Sequence, residues 1–276
     1  MKSMQKNLAL GAVSLVIMLI FPLPALVLDI LMEALLIFSF FVFFITLNPK
    51  RTTKFSSLPI CLLVLSVFSL AIQLSFTRLI LTKGEAFNGR IIRAVSSFWA
   101  GSSGIACVAA GFAVFVAFTV AMAVVAVKGT GRAAEVAARF CLDAMPGKQM
   151  SLDSEYSHGI ITERERLAKW DDLQKESDFL GAMNGAGKFI SGNFKVSILI
   201  TAICIIVGIV LGVVYDIKPV ENGKVFIDIA LDGETLRSLA RIYVPLSIAN
   251  GFLAQIIILL ECIAMAVCVN RHCRVI

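Results

Sequence analysis

Three carboxylates stand inside runs of apolar residues. Asp29 and Glu33 lie four residues apart in "ALVLDILMEALL", which puts them on one helix face. Glu261 interrupts "IIILLECIAMAV". A carboxyl group among hydrocarbon side chains either pairs with a polar group on a neighbouring helix or takes up and releases a proton or ion along a path. Arg78 lies near the end of another apolar run, placed for its stem to lie in hydrocarbon while its guanidinium reaches water. The other constellation is polar. Arg132, Glu135, Arg139 and Asp143 are spaced by three, four and four with alternating sign. On a helix they form one stripe in which each exposed pair contributes about 0.2–0.5 kcal/mol. Such a stripe is either a solvated charge ladder or a surface that docks a neighbouring subunit.

Other polar motifs carry less. "MPGKQ" and "GAGKF" imitate a phosphate-binding loop, which needs a glycine five residues before the second glycine and Ser or Thr after the lysine. Leu142 and Ala182 hold the first of those positions, and Gln149 and Phe189 the last. His158 is isolated in a loop. No nucleophile, base and orienting group share a useful spacing, so the chain does not read as an enzyme. There is no C-x-x-C among the seven cysteines, and no metal or other cofactor is implied. Cys61, Cys107, Cys204, Cys262 and Cys268 lie in apolar blocks as small hydrophobes. The net charge of +6 is spread among loops without interleaved aromatics, which argues against nucleic acid as a partner.

The elements that must position these residues are membrane helices. The chain is 58% hydrophobic and 16% charged, more apolar than soluble domains, and its apolar residues come in blocks long enough to cross a bilayer. With no water to satisfy the backbone, such blocks must be helices; strands of a membrane barrel would alternate in polarity. The expected architecture is an all-α polytopic bundle with six spans at about Leu8–Phe21, Ala25–Leu47, Leu58–Leu81, Ile105–Val127, Val196–Tyr215 and Ile242–Val269. "FPLP" (Phe21–Pro24) makes the first tight turn. The first span continues into the second without a cleavage site, so it reads as an uncleaved helix. Three regions follow: spans one to four in residues 1–127, a helical cytoplasmic domain in residues 128–195, and spans five and six with a short tail in residues 196–276.

Lys and Arg placement puts the N-terminus inside. Residues 1–7, 48–57, 128–195 and 270–276 then face the cytoplasm, and the short basic loop "NPKRTTK" favours that sense most directly. The halves do not echo each other as those of an inverted-repeat transporter would. Within the polar domain, Gly131–Ala144 reads as a helix that "MPGK" breaks through Pro146 and Gly147. Ile160–Leu180 reads as a second helix, with Glu165–Lys169 and Asp171–Lys175 as i, i+4 pairs. The small residues of "GAMNGAGKFISGN" (Gly181–Asn193) suit a hinge or a close backbone approach.

"RAAEVAARFCLDAMPGKQMSLDSE" closely resembles the signature of the FHIPEP family, the large export-gate subunits of flagellar and virulence type III secretion. "FPLP", "FTRLIL", "VKGTGR", "SDFLGAMNGAGKF" and "IANGFLAQI" resemble further family segments in family order. The resemblance implies a homo-oligomeric ring, commonly of nine subunits, in the bacterial inner membrane, together with other membrane subunits of the export apparatus. It implies help in coupling the proton motive force to export of unfolded proteins. It also implies that Arg132, Glu135, Arg139, Asp143, Lys148 and Asp153, with the Pro146–Gly147 break, form a coupling collar between subunits. Two departures stand out. Asn184, Asn193 and Asn250 occupy positions where the family usually has aspartate, and an amide cannot exchange a proton at physiological pH. That leaves Asp29, Glu33 and Glu261 as possible carriers. The family also has two more spans and a cytosolic domain that docks exported proteins and chaperones, so the chain reads as a truncated member. The alternatives are a stand-alone ion or small-solute transporter and a structural scaffold without coupling.

Overall fold

A computed structural model describes residues 20–48, 57–100, 105–215 and 233–272. The first expected span, apart from Ile20 and Phe21, and the loop "NPKRTTK", apart from Asn48, lie outside the described residues, as do the last four residues. Every regular element among the described residues is helical: α1 Ala25–Leu47, α2 Leu58–Lys83, α3 Arg90–Ala100, α4 Ile105–Ala121, α5 Gly131–Asp143, α6 Met145–Ser157, α7 Glu163–Tyr215 and α8 Gly233–His272. A short 3-10 turn covers Gly84–Ala86, and a π-helical segment covers Met122–Thr130. Five stretches are long and apolar enough to cross a membrane: Ala25–Leu47, Leu58–Lys83, Ala106–Gly129, part of Glu163–Leu211, and Leu239–Asn270. Their sequences lack the alternation of strands, and an apolar helix satisfies its own backbone in lipid. α8 is the most enclosed, with 67% of its most apolar window buried against 22% for α1. The exposed apolar residues of α1, among them Ile37, Phe41 and Phe44, suit contact with acyl chains.

Contacts divide the chain into two units. One contains Met1–Ile37, Val67–Ala121 and Asn193–Ile257; the other contains Phe38–Ser66, Met122–Gly192 and Ile258–Ile276. The first unit is stitched by aromatic pairs, with Phe76 edge-on to Phe87 at 6.5 Å between centroids and Phe118 against Phe252 at 5.1 Å. Arg78 Nη1 donates to the Ile20 carbonyl oxygen at 3.0 Å, satisfying an acceptor before α1. The second unit gathers residues 128–192 with the ends of α1, α2 and α8.

Several boundaries differ from those expected. The fourth span passes into the polar domain without a break: the backbone stays helical through the π segment into α5. α5 ends at Asp143, and α6 begins at once, with Pro146 in its first turn, where the missing N–H would have had no partner anyway. The glycine-rich Gly181–Asn193 runs unbroken inside α7, despite glycine's low helix propensity. α8 starts at Gly233, nine residues before the expected Ile242, and carries Pro245 in its interior. α3, in the polar stretch after the third span, was not anticipated.

Candidate functional site

In the second unit the π segment, α5, α7 and α8 line an open cleft of about 1160 Å³. Its polar lining is Lys128, Arg132, Glu135, Asn184 and Lys188, and its apolar lining is Val124, Val127, Val136, Phe140 and Met265. Gly187 permits the approach of α7 to α8, since a Cβ there would stand 2.6 Å from Met265 Sδ. The cleft brings together Arg132, Glu135 and Asn184, all expected to matter, and adds Lys128 and Lys188. The charge ladder itself is mostly open. Only Arg139 and Asp143 pair, at 3.9 Å and well exposed; among the described residues no ion pair joins Arg132 to Glu135.

Pro146 and Gly147 are exposed at the start of α6. Lys148 and Asp153 strap α6 to α7: Lys148 Nζ lies 3.6 Å from Glu176, and Arg166 Nη1 donates to Asp153 Oδ1 at 3.1 Å. Lys169 pairs with Glu155 at 2.9 Å rather than with Glu165. Glu165 instead closes a capping box with Thr162, whose N–H and Oγ1 both donate to Oε2 at 2.9 Å, while Glu165 N–H donates back at 3.3 Å. These hydrogen bonds, the backbone one first, hold the Glu165 carboxyl below the usual carboxylate range. Asp171 and Lys175 pair as expected at 2.5 Å. Sequence reasoning missed Arg166, Glu155 and Glu176. Their signal is opposite charge placed symmetrically about the turn at His158–Thr162, which Gly159 closes at φ 72°.

Deeper in this unit, Glu261 of α8 is buried at 1% exposure. Ser66 Oγ of α2 donates to its Oε2, and its Oε1 has no hydrogen-bond partner among the described residues.

The first unit holds a buried polar network around Asn250. Asn250 Nδ2 donates to the Gln73 carbonyl oxygen at 3.2 Å and to Thr77 Oγ1 at 3.0 Å. Gln73 Nε2 donates to the Ser197 carbonyl oxygen at 3.1 Å and reaches Thr201 Oγ1 at 3.5 Å. Gln255 Nε2 donates to Thr119 Oγ1 at 3.0 Å. Gly251, beside Asn250, lets α8 lie against Thr201: a Cβ would strike Thr201 Oγ1. Asn193 is buried on α7. Asp29 is buried and accepts the Arg90 N–H at 2.8 Å, so it satisfies an otherwise free donor at the start of α3. Glu33, four residues on, is exposed and does not join it. Among the described residues no cluster of three or more His, Cys, Asp or Glu could hold a metal.

The order of these parts, with signature segments on both sides of one cleft, can be compared with known proteins. The FHIPEP family profile matches residues 15–274. The chain belongs to the FHIPEP family. It is 41% identical over 264 residues to the flagellar biosynthesis protein FlhA of Borreliella burgdorferi, covering 96% of this chain and 36% of that protein. It is 33% identical over 277 residues to FlhA of Salmonella typhimurium, covering 98% and 37%. It is 35% identical over 274 residues to the hypersensitivity response secretion protein HrpI of Pseudomonas syringae, covering 98% and 36%. The chain thus spans little more than a third of these FHIPEP relatives. No solved structure matches it.

Proposed function

We propose that this chain is the membrane part of a type III secretion export gate in the bacterial inner membrane. It assembles as a ring of like copies with other membrane subunits of the export apparatus, and it transports rather than catalyses. The observation that carries the reading is the FHIPEP match from residue 15 to 274, which takes in the spans and the polar domain together. Relatives named for flagellar biosynthesis and for hypersensitivity-response secretion are consistent with either export system.

Residues 128–195 face the cytoplasm in this reading. Their basic content supports that sense. The collar residues act by two routes: Lys148 and Asp153 brace α6 on α7, and Arg139 and Asp143 stay outward for a neighbouring copy.

Proton coupling rests on fewer groups than in a member bearing aspartates. Asn184, Asn193 and Asn250 cannot change charge, and Asp29 has a structural partner at α3. Glu261 is the best-placed carrier, since it is buried, has a single hydroxyl partner and can alternate between two protonation states. The rival reading, a scaffold without coupling, draws on the Asn250 network, where an amide is bonded as a donor.

The test is a tagged full chain expressed beside the other membrane subunits of an export apparatus. Co-purification in mild detergent, with a cysteine at position 148 labelled only from the cytoplasmic side, is the expected result. A chain that purifies alone and passes ions by itself in vesicles would be a transporter instead.

A further inference from the structure

The cleft of the second unit has a composition that the export reading does not use. Lys128, Arg132 and Lys188 face it against one carboxylate, Glu135. Among the described residues none of the three cations has an ion-pair partner, and Lys128, Arg132 and Lys188 are all exposed. In the same lining, Val124, Val136 and Phe140 are 56%, 46% and 70% exposed, large apolar surfaces left open beside positive charge. The position is equally particular. Lys128 closes an apolar stretch that runs from Ala106 to Gly129, so the charged wall begins where hydrocarbon gives way to headgroups.

We infer that this cleft binds an anionic phospholipid, its phosphate held by Lys128, Arg132 and Lys188 and its acyl chain lying on Val124, Val136 and Phe140. Basic pockets between helices at the membrane surface recognise acidic headgroups in this way, each Lys or Arg adding about 1 kcal/mol. The excess of cations over the single carboxylate selects an anion, and the apolar residues among them select a lipid over free phosphate. Only embedding in the membrane is needed, so the inference stands apart from the export-gate reading.

The experiment is native mass spectrometry of the full chain in detergent, titrated with phosphatidylglycerol or with phosphatidylcholine, and with inorganic phosphate as competitor. Phosphatidylglycerol should bind in preference, and phosphate should not displace it. Each of Arg132→Gln and Lys188→Gln should weaken phosphatidylglycerol binding about fivefold, and the pair about thirtyfold. Glu135→Gln should strengthen it about fivefold. Lys169→Gln, which removes a cation paired elsewhere with Glu155, should change nothing. Phe140→Ser should weaken lipid binding without touching the cations, which covers the case of a misfolded double variant. Equal binding of the two lipids overturns the inference, and so does full displacement by phosphate. It also fails if the variants keep the lipid but lose self-association, since the cleft would then be covered by a second copy.

Discussion

Asn250 points its amide nitrogen at the backbone carbonyl oxygen of Gln73, 3.2 Å away. A carbonyl oxygen only accepts, so the group facing it has to donate. An ionised aspartate has no donor. Asn250→Asp should therefore destabilise the protein by about 1–3 kcal/mol, the usual penalty for leaving a buried polar group unmatched. Thermal unfolding in detergent measures it, and an unchanged midpoint would remove the donor role assigned to the amide.

Gly251 offers a steric test in the same network. Gly251→Ala drives a methyl into Thr201 Oγ1 and to within 3.3 Å of Phe115 Cζ. Overpacking of this kind costs about 1–3 kcal/mol. Adding Thr201→Ala should recover part of the loss, so the two changes should be non-additive. Simple addition in a double-mutant cycle would mean that α8 shifts to avoid the clash.

Lys148 and Glu176 make the least exposed ion pair of the polar domain, at 27% and 15% exposure. A cycle of Lys148→Ala and Glu176→Ala should show coupling of about 1 kcal/mol. The swap Lys148→Glu with Glu176→Lys should restore much of the stability that either change removes. No coupling would confine Lys148 to contacts outside its own chain.

Glu165 supplies a pH test. Its carboxyl is held below the usual range by Thr162, so the folded form binds its proton less readily than the unfolded form. The stabilisation is complete above the unfolded value and disappears as pH falls through the folded one, which places the loss in the acid range below about 4. Titration followed by carbon NMR should show Glu165 moving only part of the way toward an ordinary value in Thr162→Ala, which removes the hydroxyl donor and keeps the backbone N–H.

Glu261 supplies the functional test. Glu261→Gln keeps an acceptor for Ser66 Oγ and should keep the fold, but it cannot exchange a proton. In an export system that depends on this chain, secretion should fall to the level left by an uncoupler. Secretion that stays uncoupler-sensitive and undiminished would place the carrier elsewhere.

The membrane spans were legible because apolar runs of bilayer length have few alternative structures. Asp171–Lys175 was legible because i, i+4 spacing alone brings those groups together. The other pairings were less so. Glu165 has two candidate partners in local sequence, and the capping box Thr162-x-x-Glu165 won because it satisfies donors at the helix start. Lys169 was then free for Glu155, a contact that depends on the α6–α7 turn. The cleft was invisible because Lys128 and Lys188 are distant in sequence, and their meeting depends on where α7 passes α8 at Gly187. Of the two roles open to Gly181–Asn193, a hinge or a close backbone approach, Gly187 shows the close approach, against Met265.

The π segment Met122–Thr130 joins α4 to α5 without a break. Its rungs close over five residues instead of four, so each turn takes up more chain than an α turn. The azimuth at which Arg132 and Glu135 emerge is therefore set by how many rungs are counted in fives. Were a few of them to close in fours, α5 would rotate about its own axis and carry its charges to a new bearing.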